Sequence, residues 1–207
     1  MNQEVIEKKS LIDLLKANSK LITIFLIIVI LGLSLFIWIN HNNKNEKKLI
    51  SENYIQAKIF LEKENNNEAK EILIKLIKKK DEVYSPLSLF LIIDKKLEED
   101  NQKISNLFDS IIKMKNLENE DKNLIILKKA IFISNEGNEV EVLNLLKPII
   151  NSDSAWKIEC LKFLGDFYYS RSEFIKAKEY YSILINLDNS NFDTSDIERK
   201  IKIINNG

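Results

Sequence analysis

Residues 21 to 39 read LITIFLIIVILGLSLFIWI, nineteen positions without a charge, fifteen of them Leu, Ile, Val or Phe. As a helix rising about 1.5 Å per residue, this run reaches about 28 Å, close to the thickness of a bilayer's hydrocarbon core. Its aliphatic and Phe side chains favour insertion by several kcal/mol over the small penalties of Thr23, Gly32 and Ser34, and Trp38 stands where an indole suits the headgroup level. The run has no polar face, which argues against a buried core helix. It closes as WINHNNKN, with no small-x-small cleavage site, which argues against a removable signal. The pattern predicts one transmembrane helix at 21–39, a short segment before it at 1–20, and one domain at 40–207. In the leading segment Val5, Ile6, Leu11, Leu14 and Leu15 have loosely helical spacing. An interfacial helix and a disordered tail both fit.

Beyond the apolar run the hydrophobic period becomes helical and then recurs. Residues 158–191, IECLKFLGDFYYSRSEFIKAKEYYSILINLDNSN, form a unit of 34 residues, the period of the tetratricopeptide repeat (TPR). With Ile158 as position one, Leu161, Leu164, Gly165, Tyr168, Ala177, Tyr181 and Leu187 occupy the positions that define the motif. Leu161, Leu164 and Tyr168 give the first helix one apolar face. Gly165 and Ala177 are small where the paired helices approach. Ser172 and Glu173 replace the usual turn Gly and Asp, and Asn189 replaces the usual closing Pro.

Three earlier units are degenerate. NYIQAKIFLEKENNNEAKEILIKLI offers Ala57 and Ala69 as small positions, with Leu73 and Leu76 behind. SPLSLFLIIDKKLEEDNQKISNLFDSIIK reads as a hairpin with Ile104 and Phe108 in its second helix, and NLIILKKAIFIS, with Ala130, precedes a turn at Gly137 followed by Val142, Leu146 and Ile149. The second-helix anchors Ala69, Ile104, Val142 and Ala177 are separated by 35, 38 and 35 residues, which argues for stacked hairpins. Ser85 and Pro86 open a helix. Pro148 falls inside one, where it predicts a kink or an early break. Ser195 and Glu198 have capping-box spacing ahead of Ile197, Ile201 and Ile204, a helix expected to cap the array. The fold class is therefore all-α: one transmembrane helix, then a TPR-like α-solenoid of about four hairpins and a capping helix.

Composition removes several alternatives. Four Gly and two Pro disfavour tight-turn β architecture. Acidic and basic residues balance at 31 each, so no net field points to nucleic acid. The cations are almost all Lys, with Arg171 and Arg199 the exceptions, whereas bidentate anion recognition prefers Arg. Lys8, Lys9, Lys16 and Lys20 before the apolar run match Lys44, Lys47, Lys48 and Lys58 after it, so charge leaves the orientation open.

Catalytic constellations are not evident, and no cofactor or metal is expected. His41 is the single histidine and lies in an Asn-rich stretch without a partner. Cys160 is the single cysteine and reads as a packing thiol. The acidic stretch DNSNFDTSD, 188–196, lacks the Gly and the bidentate Glu of a calcium loop; Arg199 stands at the latter position. An envelope enzyme with a hidden site is the alternative class, discouraged by these absences.

The anchor, the degenerate array and the stretch Leu146, Pro148, Asp153, Ser154 and Trp156 leading into the best-formed repeat resemble the YfgM-like family of bacterial inner-membrane proteins. That resemblance implies an ancillary subunit of the Sec translocon, with a cytoplasmic N-terminus and a periplasmic repeat domain near a membrane-anchored periplasmic chaperone. A TPR adaptor in another envelope assembly, or of inverted orientation, is the alternative. In TPR arrays the positions of Glu159, Lys162, Asp166, Tyr169 and Ser170 face the concave groove where peptides dock. These five residues are the candidate partner-binding groove, with a solvated polar face as the competing reading.

Overall fold

The computed structural model describes residues 19–135, 137–187 and 192–206, without the side chains of residues 19–22, 26, 39, 40, 42 and 43. The expectations for residues 1–18 and for the 188–191 portion of the acidic stretch lie outside the described residues. Nine helices and no strand are present among them: α1 Ser19–Glu62, α2 Asn66–Lys78, α3 Tyr84–Asp94, α4 Asn101–Ile112, α5 Asn119–Ser134, α6 Glu139–Ile150, α7 Lys157–Ser170, α8 Phe174–Ile185 and α9 Ser195–Asn206. The chain divides into two units, 1–52 and 53–207. The Asn-rich stretch around His41 is helical, and no Pro lies between Ser19 and Glu62 to break the helix.

In the first unit every described large apolar side chain from Ile24 to Trp38 is exposed, from 38% at Val29 to 67% at Phe36. Ser34 donates its hydroxyl to the carbonyls of Ile30 and Leu31, so the polar group is satisfied within the helix. Among the described residues no helix is long and apolar enough to cross a membrane.

In the second unit each helix from α2 to α9 packs on the next, and α2–α4 and α5–α7 also touch. Contacts confined to immediate and next-nearest helices are those of a helical repeat array. Its interior contains the predicted small positions: Ala57, Ala69, Ala130 and Ala177 are fully inaccessible, as are the anchor Val142 and, behind it, Leu146. One core cluster joins Leu127, Ala130 and Ile133 of α5 to Val142, Leu146 and Ile149 of α6 and Cys160 and Leu164 of α7. The next joins Leu161, Phe167 and Tyr168 of α7 to Ala177, Tyr181 and Leu184 of α8 and Ile197 of α9.

The turns repeat as well. Glu64, Lys96, Gly137 and Ser172 have φ of 62°, 51°, 82° and 61° and lie between α1 and α2, α3 and α4, α5 and α6, and α7 and α8. After Glu64, Lys96 and Ser172 the next amide (Asn65, Leu97, Glu173) donates to the carbonyl five residues back, at 2.9, 2.9 and 3.0 Å. This is the Schellman closure of a helix. Glu64, Gly137 and Ser172 each precede their anchor by five residues, whereas Lys96 precedes Ile104 by eight, so the second hairpin has the longer loop. Asp100 ends that loop as a helix cap, accepting from the amides of Gln102 and Lys103 at 2.9 and 3.2 Å.

One local expectation is narrowed and another corrected: of the kink or early break expected at Pro148, the break is excluded. Pro148 does not break α6 early: the helix runs to Ile150, because the amide that Pro lacks serves only the last turn and Asn151 still donates to Lys147. The Ser195–Glu198 capping box is not formed. The Ser195 hydroxyl and amide both donate to Asp193, and Thr194 donates to Glu198 at 2.7 Å instead. The apolar face behind that cap is as expected, with Ile197 buried and Ile201 and Ile204 packed against the same cluster.

Candidate functional site

The second unit carries a surface hollow of about 340 Å³ between α5 and α7. Its floor is apolar, from Leu124, Leu127 and Ile131 of α5, Phe163 of α7 and Trp156 at the start of α7. Its charged lining is Lys128 on α5 and Glu159, Lys162 and Asp166 on α7. Three of the five predicted groove residues, Glu159, Lys162 and Asp166, therefore meet at this hollow. Tyr169 and Ser170 do not line it. Tyr169 packs edge-on against Phe174, with ring centroids 5.6 Å apart, and Lys200 Nζ lies over the Tyr169 ring, 5.8 Å from its centroid. Ser170 is exposed at the end of α7 and donates to the carbonyl of Phe167.

The α5 half of the hollow was missed by the sequence reading, although a signal for it existed. Shifting by the 35 residues between Val142 and Ala177 carries Leu124, Leu127, Lys128 and Ile131 onto Glu159, Lys162, Phe163 and Asp166. The hollow is thus built from equivalent positions on two successive first helices. A second hollow, of about 540 Å³, lies between the end of α1 and α3 and is lined by Lys58, Leu61, Glu62, Asn66, Leu91 and Lys95. Counted back from Ala69, its Lys58, Leu61 and Glu62 are the equivalents of Asp166, Tyr169 and Ser170.

Asp166 is already committed. Its Oδ1 accepts from the Tyr181 hydroxyl at 2.6 Å and from Lys200 Nζ at 2.7 Å, and its Oδ2 accepts from Lys162 Nζ at 2.6 Å. Burial works against its ionisation, but the bonds from Lys162, Lys200 and Tyr181 outweigh it and hold the carboxyl below its usual range. Tyr181 is pushed up, first by burial and then by this bond, so it stays a neutral donor. The Lys200–Asp166 pair fastens α9 to α7, and within α9 Lys200 also binds Asp196 at 2.9 Å. Asp166 is therefore a junction of α7, α8 and α9 as much as a groove residue.

No family model, curated protein or solved structure matches this chain. The assignment of the hollow consequently rests on its own residues.

The Cys160 thiol is fully inaccessible, and burial, aided by the neighbouring Glu159 charge, pushes it up to about 12, so the thiolate nucleophile is essentially absent at neutral pH. Among the described residues no three His, Cys, Asp or Glu side chains are placed to hold a metal ion. What the hollow can do is accept an apolar side chain, its volume lying at the small end of the ~300–1,000 Å³ typical of ligand pockets.

Neighbouring polar groups hold the walls. Ser154 is buried and donates to Glu120 Oε2 at 2.7 Å, while Glu120 also accepts the Ala155 amide at 3.0 Å and Asn123 donates to Ser154. This ties the loop before Trp156 to the start of α5 and so fixes one end of the hollow. Lys129, next to Lys128, is 5% exposed and clamped by Asp109 of α4 at 2.8 Å and Glu141 of α6 at 3.5 Å. The Lys-Lys pair hides this division in the sequence: one cation is buried between helices and the other faces the hollow.

Proposed function

We propose that this chain is a membrane-anchored, TPR-like interaction scaffold whose hollow between α5 and α7 receives a segment of another polypeptide. The observation that carries the reading is that equivalent positions of two successive first helices form one apolar, charge-rimmed depression. Repeat arrays present their binding surfaces in this way, along faces made by adjacent units. Anchoring is supported by the nineteen uncharged residues at 21–39 and by the exposure of all described apolar side chains between Ile24 and Trp38. Confinement to a membrane raises the effective concentration of the scaffold near a membrane partner, which makes weak contacts useful. The resemblance noted above extends the proposal to the bacterial inner membrane, with a cytoplasmic N-terminus, a periplasmic repeat domain, and the Sec translocon and a membrane-anchored periplasmic chaperone as partners.

Photo-crosslinking in cells from position 131, with position 147 on α6 as an exposed control away from the hollow, tests the scaffold. Capture of discrete polypeptides from 131 alone is the expected outcome, and identical adducts from both positions would sink it. A compartment-sensitive reporter at the C-terminus tests the orientation separately; activity of the cytoplasmic form would remove the translocon reading.

A further inference from the structure

The charges around the α5–α7 hollow narrow the chemistry of what it receives. Of its four charged side chains, Lys162 and Asp166 are bonded to each other at 2.6 Å, and the other Asp166 oxygen holds Tyr181 and Lys200. The Lys162 charge is thus already compensated by Asp166, and that of Asp166 by Lys162 and Lys200, so both are weaker sites for a ligand's charge than an unpaired group. Lys128 and Glu159 differ. Both are exposed, and neither makes a hydrogen bond or ion pair to another side chain among the described residues. They line the hollow from different helices, Lys128 from α5 and Glu159 from α7, together with the apolar Leu127, Ile131, Trp156 and Phe163.

We propose that the hollow takes a polypeptide segment carrying one large apolar side chain flanked by an acidic residue on one side and a basic residue on the other. The acid pairs with Lys128 and the base with Glu159. A uniformly acidic tract gains at Lys128 what it loses at Glu159, and a uniformly basic tract meets the converse. The inference rests on the scaffold reading above and adds the partner's charge pattern to it.

The test uses the full-length chain in detergent micelles and four fluorescein-labelled peptides, each with a central Phe between two flanking positions. The flanks are one acid and one base, two acids, two bases, or two neutral residues. Fluorescence anisotropy should rank the mixed peptide tightest, by roughly threefold over the neutral one and more over the others, as expected for partly exposed ion pairs. Lys128→Glu should shift the preference to the doubly basic peptide, and Glu159→Lys to the doubly acidic one. Ile131→Asp should weaken all four. If binding is lost with Ile131→Asp yet the ranking ignores both charge variants, this inference fails while the scaffold reading stands. Absence of binding by any of the four peptides also overturns it, and the crosslinking experiment then judges the scaffold reading by itself.

Discussion

Gly165 is where a single atom has the clearest consequence. A Cβ built there would lie 2.3 Å from Cε1 and 2.4 Å from Cδ1 of Tyr181, well inside contact distance. The ring cannot simply retreat, because Tyr181 is fully buried and its hydroxyl is held by Asp166. Gly165→Ala is therefore expected to destabilise the repeat unit by about 1–3 kcal/mol, the usual cost of overpacking, as read from urea unfolding. No measurable loss would mean that the ring does not lie on Gly165. The need for a small residue here was legible from the spacing of Leu161, Leu164, Gly165 and Tyr168. The identity of the atoms that require it was not, because Tyr181 is sixteen residues further along on another helix.

At the scale of the helix and its turns, local rules account for most of the array. Ser172 occupies the left-handed region with φ of 61°, in the turn where Gly137 has φ of 82° one unit earlier. An L side chain in that region is disfavoured by about 1–2 kcal/mol and glycine is not. Ser172→Gly is accordingly expected to raise stability, by up to about 1 kcal/mol after the entropy of the more flexible unfolded chain is subtracted. Thermal unfolding of the two forms checks it, and a lower midpoint for Ser172→Gly would contradict the turn assignment. The sequence reading identified Ser172 as a departure from the usual glycine, and the backbone confirms that the departure retains the glycine-like conformation. Pro148 and Ser195 were less readable. The effect of a proline depends on how many residues of helix remain after it, and the capping of α9 depends on which of several adjacent oxygens reaches the first amides.

Across the molecule, polar junctions fasten one helical unit to the next. Asp166 links α7 to Tyr181 of α8 and Lys200 of α9, and Glu139 of α6 accepts from Tyr168 of α7 and Lys176 of α8, both at 2.8 Å. Glu139 is held below its usual range, chiefly by the bond from Lys176 and then by that from Tyr168. Both carboxyls are thus depressed on folding, so the unfolded chain binds protons more readily than the native one at mildly acidic pH. Their contribution is complete above the ordinary carboxyl values of 3.8 and 4.5 and is lost as pH falls through the lower native ones. Asp166→Asn should lower stability near neutral pH and flatten its decline below about pH 4. Urea titrations across that range test this, and an unchanged acid slope would remove Asp166 from the acid response.

The sequence by itself determined the helical class, the hairpin spacing, the small residues at close approaches and the turn positions at Gly137 and Ser172. These follow from period, volume and backbone sterics, which act over a few residues or recur from unit to unit. Only the tertiary structure decided which charges are committed and which are free. Lys129 and Lys128 are adjacent and chemically identical, yet one lies between Asp109 and Glu141 while the other lines the hollow. The same division makes Asp166 a junction and leaves Glu159 open to a partner. The reason is physical: a helix's polar face can be solvated or paired, and the choice depends on the rotation of neighbouring helices against it, which local sequence does not encode.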